Sequence, residues 1–393
     1  MVDHNRMKIA LLTGGGEAHY QIGLLQGLVE AGVEVEFIGN DRMSSIMMTY
    51  GNHVRYLNLR GNQDPSSSFA RKLGRVFFYY LRLVRYAAST SCVVFHIQWE
   101  NKFRLLDRIL LPLYYDLLGK KLVLTVHNVN SEERDGHDGP MNRFVLRVYY
   151  RLMDHIIVHT AVMKEELVAA YGMAPGKVSI IPHGINIAVC DREGSPGIAR
   201  DLLNIPLHAR VILFFGTIDE YKGVDILIDA FSQLYREDQS CRLILAGQPR
   251  GKWRGLIESM VEQLGVGSAV TLDLRFVPDE VIPRLFLAAD CCVLPYRRSN
   301  QSGVLFLSFA YGLPVIVADS SGCSNEVTDG KNGIIVRGGS ALQLHDGLSR
   351  FFRSELHTHS ANSRSEIRAW ASRKYSWTSI GALTRRVYLD VSD

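Results

Sequence analysis

Two short stretches combine groups that can hold a phosphate. In "LFFGTIDEYKGVDILIDAF" (213–231) an apolar run ends at Gly216. Lys222-Gly223 then stands before a stretch whose apolar residues Val224, Leu227, Ile228 and Phe231 recur with helical spacing. In "SNQSGVLFLSFAYGLP" (299–314) Asn300, Gln301, Ser302 and Gly303 precede the apolar run that begins at Val304. The first turn of a helix carries N–H groups with no intrahelical partner, and its dipole favours negative charge. A lysine beside such a turn, or a glycine that lets the backbone be approached, suits a diphosphate. Ser302 also fits the simpler role of a helix cap. A third stretch, Thr13-Gly14-Gly15-Gly16, follows the apolar run "KIALLT" and opens a helical pattern. A dinucleotide fingerprint needs a glycine where His19 stands, so that motif fails, and a tight strand-to-helix turn is the alternative to ligand contact. His127, closing "KLVLTVHN" (121–128), is either a ligand-facing group at a strand end or a core histidine bonded to a carbonyl.

The elements that must position these residues alternate along the chain. Short apolar runs at 8–13, 92–98, 121–128, 155–160 and 177–184 are separated by amphipathic stretches, and "VEVEFIG" alternates as a strand. The pattern weakens over 189–206, where the chain is expected to pass between domains. It resumes at "RVILFFG" and continues through "CRLILAG", "AVTLDLRFV", "CCVLPY", "PVIVAD" and "GIIVR". This predicts an α/β chain with two doubly wound parallel sheets in tandem. Ligands of such sheets bind beyond the carboxyl ends of the strands, and each candidate above follows a strand.

Composition bounds the rest. The chain has 393 residues, 47% of them hydrophobic, and a net charge of +4. Residues 51–151 hold 16 Lys and Arg against 8 Asp and Glu, so the remainder is slightly acidic. The six cysteines match no zinc or redox spacing and are expected reduced and buried. The N-terminus lacks a signal-peptide pattern and no apolar segment is long enough to span a bilayer, which points to the cytoplasm. Residues 69–87 interleave five basic residues with six aromatics, and "MNRFVLRVYYRLM" (141–153) is similar. Such helices can rest on an anionic membrane surface at the inner face of the cell membrane, or bury their aromatics in the first domain. Nucleic acid is not expected as a partner, since no recognition module accompanies the charge.

Taken in order, "GGGEAHYQIGLLQGLVEAGVEVEFI", "LTVHN", "VHTAVMKEEL", "IIPHGIN", "FFGTIDEYKGVDILIDAF", "LILAG", "RFVPDEVIPRLFLAADCCVLPY", "SGVLFLSFAYGLPVIVADSSGCSNEV" and "DGKNGIIV" resemble the GT-B glycosyltransferases, most of all family 4. The resemblance spans nearly the whole chain. It implies two Rossmann-like domains facing a central cleft: residues 1–188 for the acceptor and 189–375 for the nucleotide sugar, with a last helix (376–393) returning to the first domain. It implies retaining transfer of a hexose from a nucleoside diphosphate sugar to an acceptor hydroxyl, without a metal or another cofactor. The acceptor would be a saccharide or a lipid-linked sugar, as in surface polysaccharide synthesis. Carried over by position, Lys222 would hold the phosphates, with backbone help from Gly303 and Val304. His127 would sit over the reacting sugar. Gly15 or Gly16 would lie beside the phosphate or the acceptor. Gly216, Thr217, Asn300, Gln301, Ser302 and Ser308 would line the donor, Arg275 and Phe276 its base, and Gly14, His19 and Asn128 the acceptor. Glu326 either caps a helix or orients the donor.

Two departures bear on activity. The family's paired glutamates, eight positions apart, fall at Asn300 and Ser308, and an arginine usual before the lysine is replaced by Thr217. A lost charge-assisted hydrogen bond costs roughly 1.5–3 kcal/mol, so the donor grip is expected to be weaker unless Arg275, Arg297 or Arg298 compensates. The alternative reading is a GT-B protein that binds nucleotide sugars or serves as a scaffold without transfer.

Overall fold

The computed structural model describes residues 7–14, 18–44, 48–64, 66–101, 103–130, 138–185, 194–297, 299 and 302–392. Gly15, Gly16, Asn300, Gln301, Arg298 and Cys190 therefore lie outside the described residues. The chain divides into two compact units, Met1–Gly184 with Trp377–Asp393, and Ile185–Ser376.

Unit 1 holds β1 (Lys8–Leu12), β2 (Glu34–Ile38), β3 (Val54–Leu57), β4 (Val94–Ile97), β5 (Lys121–Val126), β6 (His155–Val158) and β7 (Val178–Ile180). They form one parallel sheet in the order β3-β2-β1-β4-β5-β6-β7. Unit 2 holds β8 (Arg210–Phe215), β9 (Cys241–Ala246), β10 (Val270–Asp273), β11 (Cys291–Leu294), β12 (Val315–Ala318) and β13 (Gly333–Val336). Its parallel sheet runs β10-β9-β8-β11-β12-β13. Central strands such as β4, β6, β11 and β12 are buried along their whole length, because helices cover both faces. That is why they read as unbroken apolar runs. The edge strand β10 is instead exposed at Thr271 and Leu272 and stops at Asp273, where Arg275 N–H turns back to the Asp273 carbonyl. The expected strand 269–277 is shortened accordingly.

In each sheet the winding reverses between the first strand and the fourth, β1 beside β4 in unit 1 and β8 beside β11 in unit 2. A crevice forms at such a reversal, beyond the carboxyl ends of the two strands.

The last helix, Trp377–Ser392, belongs to unit 1 and packs on the helix Ala18–Glu30. Close approach is possible because Gly27 and Gly381 face one another; a Cβ on Gly381 would lie 2.1 Å from the Gly27 carbonyl carbon. Tyr388 of the same helix meets His96 Nδ1 at 2.6 Å beneath the sheet. The helix Pro196–Leu202 belongs to unit 2, where Arg200 binds Asp290 Oδ1 (2.9 Å) and the Ala288 carbonyl (3.0 Å). Among the described residues no helix is long and apolar enough to cross a membrane.

Candidate functional site

The unit 2 crevice is built from the exits of β8 and β11. Beyond β8 the chain makes a short turn, Glu220–Lys222, and Gly223 then starts the helix Val224–Glu237 in a left-handed conformation (φ 64°). Only glycine fits there, since a Cβ would also lie 2.2 Å from the Pro295 carbonyl oxygen. The exit of β11 is stitched to this turn. Arg297 N–H donates to the Tyr221 carbonyl (2.8 Å), and the Arg297 guanidinium grips Asp225 and the Glu220 carbonyl. Arg297 is thus spent on holding two loops together, which corrects its expected role as a compensating donor.

Lys222 is buried, not solvated at the helix mouth. Its Nζ lies 3.8 Å from the ring centroid of Tyr296 and 5.2 Å from that of Tyr221. The Tyr296 hydroxyl lies 3.1 Å from Ser302 Oγ, at the start of the helix Gly303–Ala310. Ser302 does not cap that helix through its side chain, contrary to the simpler expectation. Gly216 completes the group, with a built Cβ only 3.3 Å from Val304 Cγ2. Lys222, Ser302, Gly303, Val304 and Gly216 therefore gather around the β8/β11 exits.

Four expected donor residues are not part of this group. Ser308 is fully buried and its Oγ donates to the Val304 carbonyl (2.8 Å), so its hydroxyl is turned into its own helix. Arg275 and Phe276 follow β10, two strands from β8, and both are exposed; Arg275 pairs with Asp273 at 2.7 Å. Thr217 is exposed just beyond Gly216. Glu326 neither caps nor reaches out, since its carboxylate binds Lys374 Nζ (2.8 Å) and the Tyr375 hydroxyl.

The unit 1 crevice has different walls. Gly14 (φ 56°) is pressed on the exit of β4, where a Cβ would lie 2.1 Å from the Trp99 carbonyl oxygen. Trp99 stacks on His127 with ring centroids 3.9 Å apart. Tyr20 meets the edges of Trp99, His127 and His159. His159 Nδ1 lies 2.9 Å from the Ile181 carbonyl and its Nε2 lies 3.1 Å from His127 Nδ1. A carbonyl only accepts, so a neutral His159 carries its proton on Nδ1 and accepts at Nε2. His127 then donates to it through Nδ1. Burial holds both rings neutral: it drives the His159 pKa down to about 3, and it drives that of His127 well below the usual value, with help from neighbouring imidazoles. His127 Nε2 is shielded from solvent.

Beside this cluster a cavity of about 260 Å³ opens at the exits of β4 and β5. Its wall includes Trp99, His127, Asn128, Arg108 and Asn142. Arg108 is bound to Glu100 Oε2 (2.6 Å) and Asn142 Oδ1 (3.0 Å). Asn128 and His19 are exposed, whereas Gly14 is buried. Sequence reasoning missed Arg108, Asn142, His159 and Tyr296. For Tyr296 a signal existed, as it directly follows the apolar run that supplies the Ser302 loop. Among the described residues no group of three or more His, Cys, Asp or Glu comes together as a metal site would require.

Comparison with known proteins places these crevices in a family context. Residues 14–189 match the model of Glycosyltransferase Family 4, and residues 198–369 match that of Glycosyl transferases group 1. The chain carries two glycosyltransferase domains. The family 4-like domain contains the imidazole crevice, and the group 1 domain contains the lysine crevice. A D-inositol 3-phosphate glycosyltransferase of Streptosporangium roseum is 30% identical over 210 residues, covering 51% of this chain and 47% of that protein. The corresponding protein of Corynebacterium diphtheriae is 28% identical over 253 residues, covering 60% and 58%. The matched region thus spans about half the length of these curated relatives. In fold the chain is similar to Anabaena HepE in complex with UDP (TM-score 0.74, 19% identity, 98% of this chain and 100% of that one). It is also similar to a sucrose-phosphate synthase of Thermosynechococcus elongatus (TM-score 0.76, 20% identity, 98% and 99%). Both domains have the Rossmann-like parallel sheet of GT-B glycosyltransferases.

Proposed function

We propose that this chain is a retaining glycosyltransferase that moves a hexose from a nucleoside diphosphate sugar to a hydroxyl of a saccharide or lipid-linked acceptor. The observation that carries the reading is the meeting of Lys222 and the start of the helix Gly303–Ala310 on one tyrosine, at the winding reversal of the group 1 domain. An ammonium and a helix start aimed at one place stabilise the charge that develops as a diphosphate leaves. The two relevant names also fit, since curated relatives act as D-inositol 3-phosphate glycosyltransferases and a structural neighbour is complexed with UDP.

Neither Asn300 nor Ser308 supplies a carboxylate, so a covalent glycosyl intermediate has no nucleophile at those positions. Front-face transfer needs none. The bond from the sugar's anomeric carbon to the phosphate oxygen breaks, the acceptor oxygen bonds to that carbon from the same side, and the acceptor proton passes to a phosphate oxygen. Lys222 and the amides of Gly303 and Val304 take up the negative charge, so the protein groups alone can serve the leaving group. The acceptor is assigned to the cavity beside His127 and Asn128, with His127 as a neutral wall fixed by Trp99 and His159.

The helix Phe69–Ser89 supports an anionic lipid surface as a second contact. Phe69, Phe77 and Phe78 are 81%, 64% and 53% exposed, on a helix that also carries Arg71, Lys72 and Arg75. Flotation with vesicles of anionic lipid, compared with neutral ones, tests this part.

The central experiment supplies each common nucleotide sugar with saccharide and lipid-linked acceptors and measures released nucleoside diphosphate. NMR of the product reads the anomeric configuration. Release that vanishes in Lys222→Ala, with retention at the anomeric carbon, is the expected result; inversion overturns the retaining assignment. Binding of the donor without release across the acceptor set favours the scaffold reading, to which the inward-turned hydroxyl of Ser308 lends support.

A further inference from the structure

Tyr296 is fully buried and lies between the two groups assigned to the diphosphate. Its ring faces Lys222 Nζ at 3.8 Å, and its hydroxyl meets Ser302 Oγ at 3.1 Å. The backbone on either side is fixed: the Ser320 hydroxyl donates to the Tyr296 carbonyl (3.3 Å), and Arg297 N–H donates to the Tyr221 carbonyl (2.8 Å). We propose that Tyr296 is the positioning residue of the anion site, its ring holding the Lys222 ammonium and its hydroxyl holding Ser302, so that the cation and the helix start serve one diphosphate. The identity of that anion rests on the glycosyltransferase reading.

Each half of the tyrosine has a separate physical job. A buried ammonium over an aliphatic side chain would lose water and gain little. An aromatic face repays part of that loss, yet attracts the cation far less than a phosphate does. The ring thereby helps to order the lysine before the ligand arrives. The hydroxyl acts on the helix. A serine at this position would ordinarily turn its Oγ to an N–H of the first turn. Here Ser302 Oγ is engaged by Tyr296, and the first turn has no side-chain cap. Tyr296 in this way keeps serine from occupying the amides that a phosphate would use.

The test measures binding of inorganic pyrophosphate and of UDP, GDP and ADP to the full chain by calorimetry, with melting temperature as the fold control. Tyr296→Leu is expected to weaken pyrophosphate at least ten-fold. The ratio of nucleoside diphosphate to pyrophosphate affinity should stay unchanged, because the nucleoside contacts are untouched. Tyr296→Phe keeps the ring and should lose only two- to five-fold. In a Lys222→Met background, Tyr296→Leu should cost only the two- to five-fold of the lost hydroxyl, since the cation its ring positions is gone. Additive losses, or wild-type pyrophosphate affinity in a folded Tyr296→Leu protein, overturn the inference while leaving the donor reading intact. If Tyr296→Leu does not fold, the cycle of Tyr296→Phe with Ser302→Ala decides: non-additive effects on pyrophosphate affinity uphold the coupling, and additive ones refute it. Failure of the wild-type protein to bind pyrophosphate or any of the three nucleotides refutes both the inference and the donor reading.

Discussion

In unit 1 the first strand exits through Gly14 onto Trp99 and a wall of neutral rings; in unit 2 the corresponding strand exits toward a buried ammonium and a helix start without a side-chain cap. The two sheets share their winding reversal, and each crevice has a glycine of positive φ lodged against a carbonyl of the neighbouring strand's exit, Gly14 at Trp99 and Gly223 at Pro295. Topology fixes where a ligand can sit, and the side chains beyond the strands decide its charge. A wall of His127, His159, Tyr20 and Trp99 suits uncharged hydroxyls. Lys222 with the start of the helix Gly303–Ala310 suits a diphosphate. On the proposed function, one fold used twice separates the partner that leaves with charge from the partner that arrives without it.

The sharpest way to break this contrast is to remove the charge. Lys222→Met is expected to lower the rate of transfer by roughly 10²–10³-fold, the scale for losing one preorganised group that stabilises developing charge. His127→Ala, which removes a neutral wall, should cost about ten-fold or less, seen mainly in the acceptor KM. Steady-state kinetics on both variants with the same donor checks this. Equal losses in kcat would mean that charge does not divide the two crevices.

Acid should open unit 1 first. The buried imidazoles whose pKa is driven down by burial, His96, His127, His155 and His159, all belong to unit 1. His96 and His159 are each pushed to about 3 from an ordinary 6.5. Below pH 6.5 the unfolded chain binds protons that the folded one refuses, so stability is full above 6.5 and falls as pH drops toward 3. Between pH 6.5 and 5.5 each of these two rings costs about 1 kcal/mol, roughly 2 kcal/mol together, and His127 and His155 act in the same direction. Glu36 adds to the same slope at lower pH. It is bound by Lys8, Tyr86 and Thr90, which hold its carboxyl at about 2 against 4.5, so its contribution is lost as pH falls from 4.5 to 2. Hydrogen exchange followed by mass spectrometry at pH 6.5, 5.5 and 4.5 should show β4, β5 and β6 losing protection before β8 and β11. Simultaneous loss in both units would sink the assignment of this slope to unit 1.

The glycine contacts test the shared part of the comparison. Gly14→Ala and Gly223→Ala each place a Cβ about 2 Å from a carbonyl oxygen and force a strained φ. Each should cost on the order of 2–3 kcal/mol, read by denaturant unfolding. A cost at Gly223 with none at Gly14 would mean that the two crevices are not built alike.

Much of this was legible before any coordinates, and for a definite reason. Parallel strands covered on both faces are unbroken apolar runs, so β4, β5, β11 and β12 could be read directly, and residues just past them were the ones to weigh. That rule put Lys222 and Ser302 each beyond a strand exit, and both are found against Tyr296. What remained hidden depends on strand order and side-chain direction. Arg275 and Phe276 looked as close to the site as Gly216, but β10 lies at the sheet edge, two strands from β8. The His127–His159 contact joins the exits of adjacent strands 32 residues apart, and no periodicity reports it. Ser308 was expected to line the donor, and only its rotamer reveals that the hydroxyl bonds back to Val304.

The finest difference between the units lies at two helix starts, and it gives the smallest effect. In unit 1, Thr160 caps the helix Ala161–Tyr171 by accepting Met163 N–H at 3.3 Å. In unit 2, Ser302 occupies the same position before Gly303–Ala310 and caps nothing through its side chain. Thr160→Ala should therefore cost about 1 kcal/mol of stability. Ser302→Ala alone would strand the buried Tyr296 hydroxyl, so the fair comparison is made in a Tyr296→Phe background, where both polar partners are removed together. There the serine is released to the N–H groups of the first turn, so removing it should cost about 1 kcal/mol, as at Thr160. Urea unfolding of the four variants measures both figures. A loss at Ser302 below about 0.5 kcal/mol would show that serine does not return to the amides once the tyrosine hydroxyl is gone, and Tyr296 would then not be what keeps that helix start uncapped.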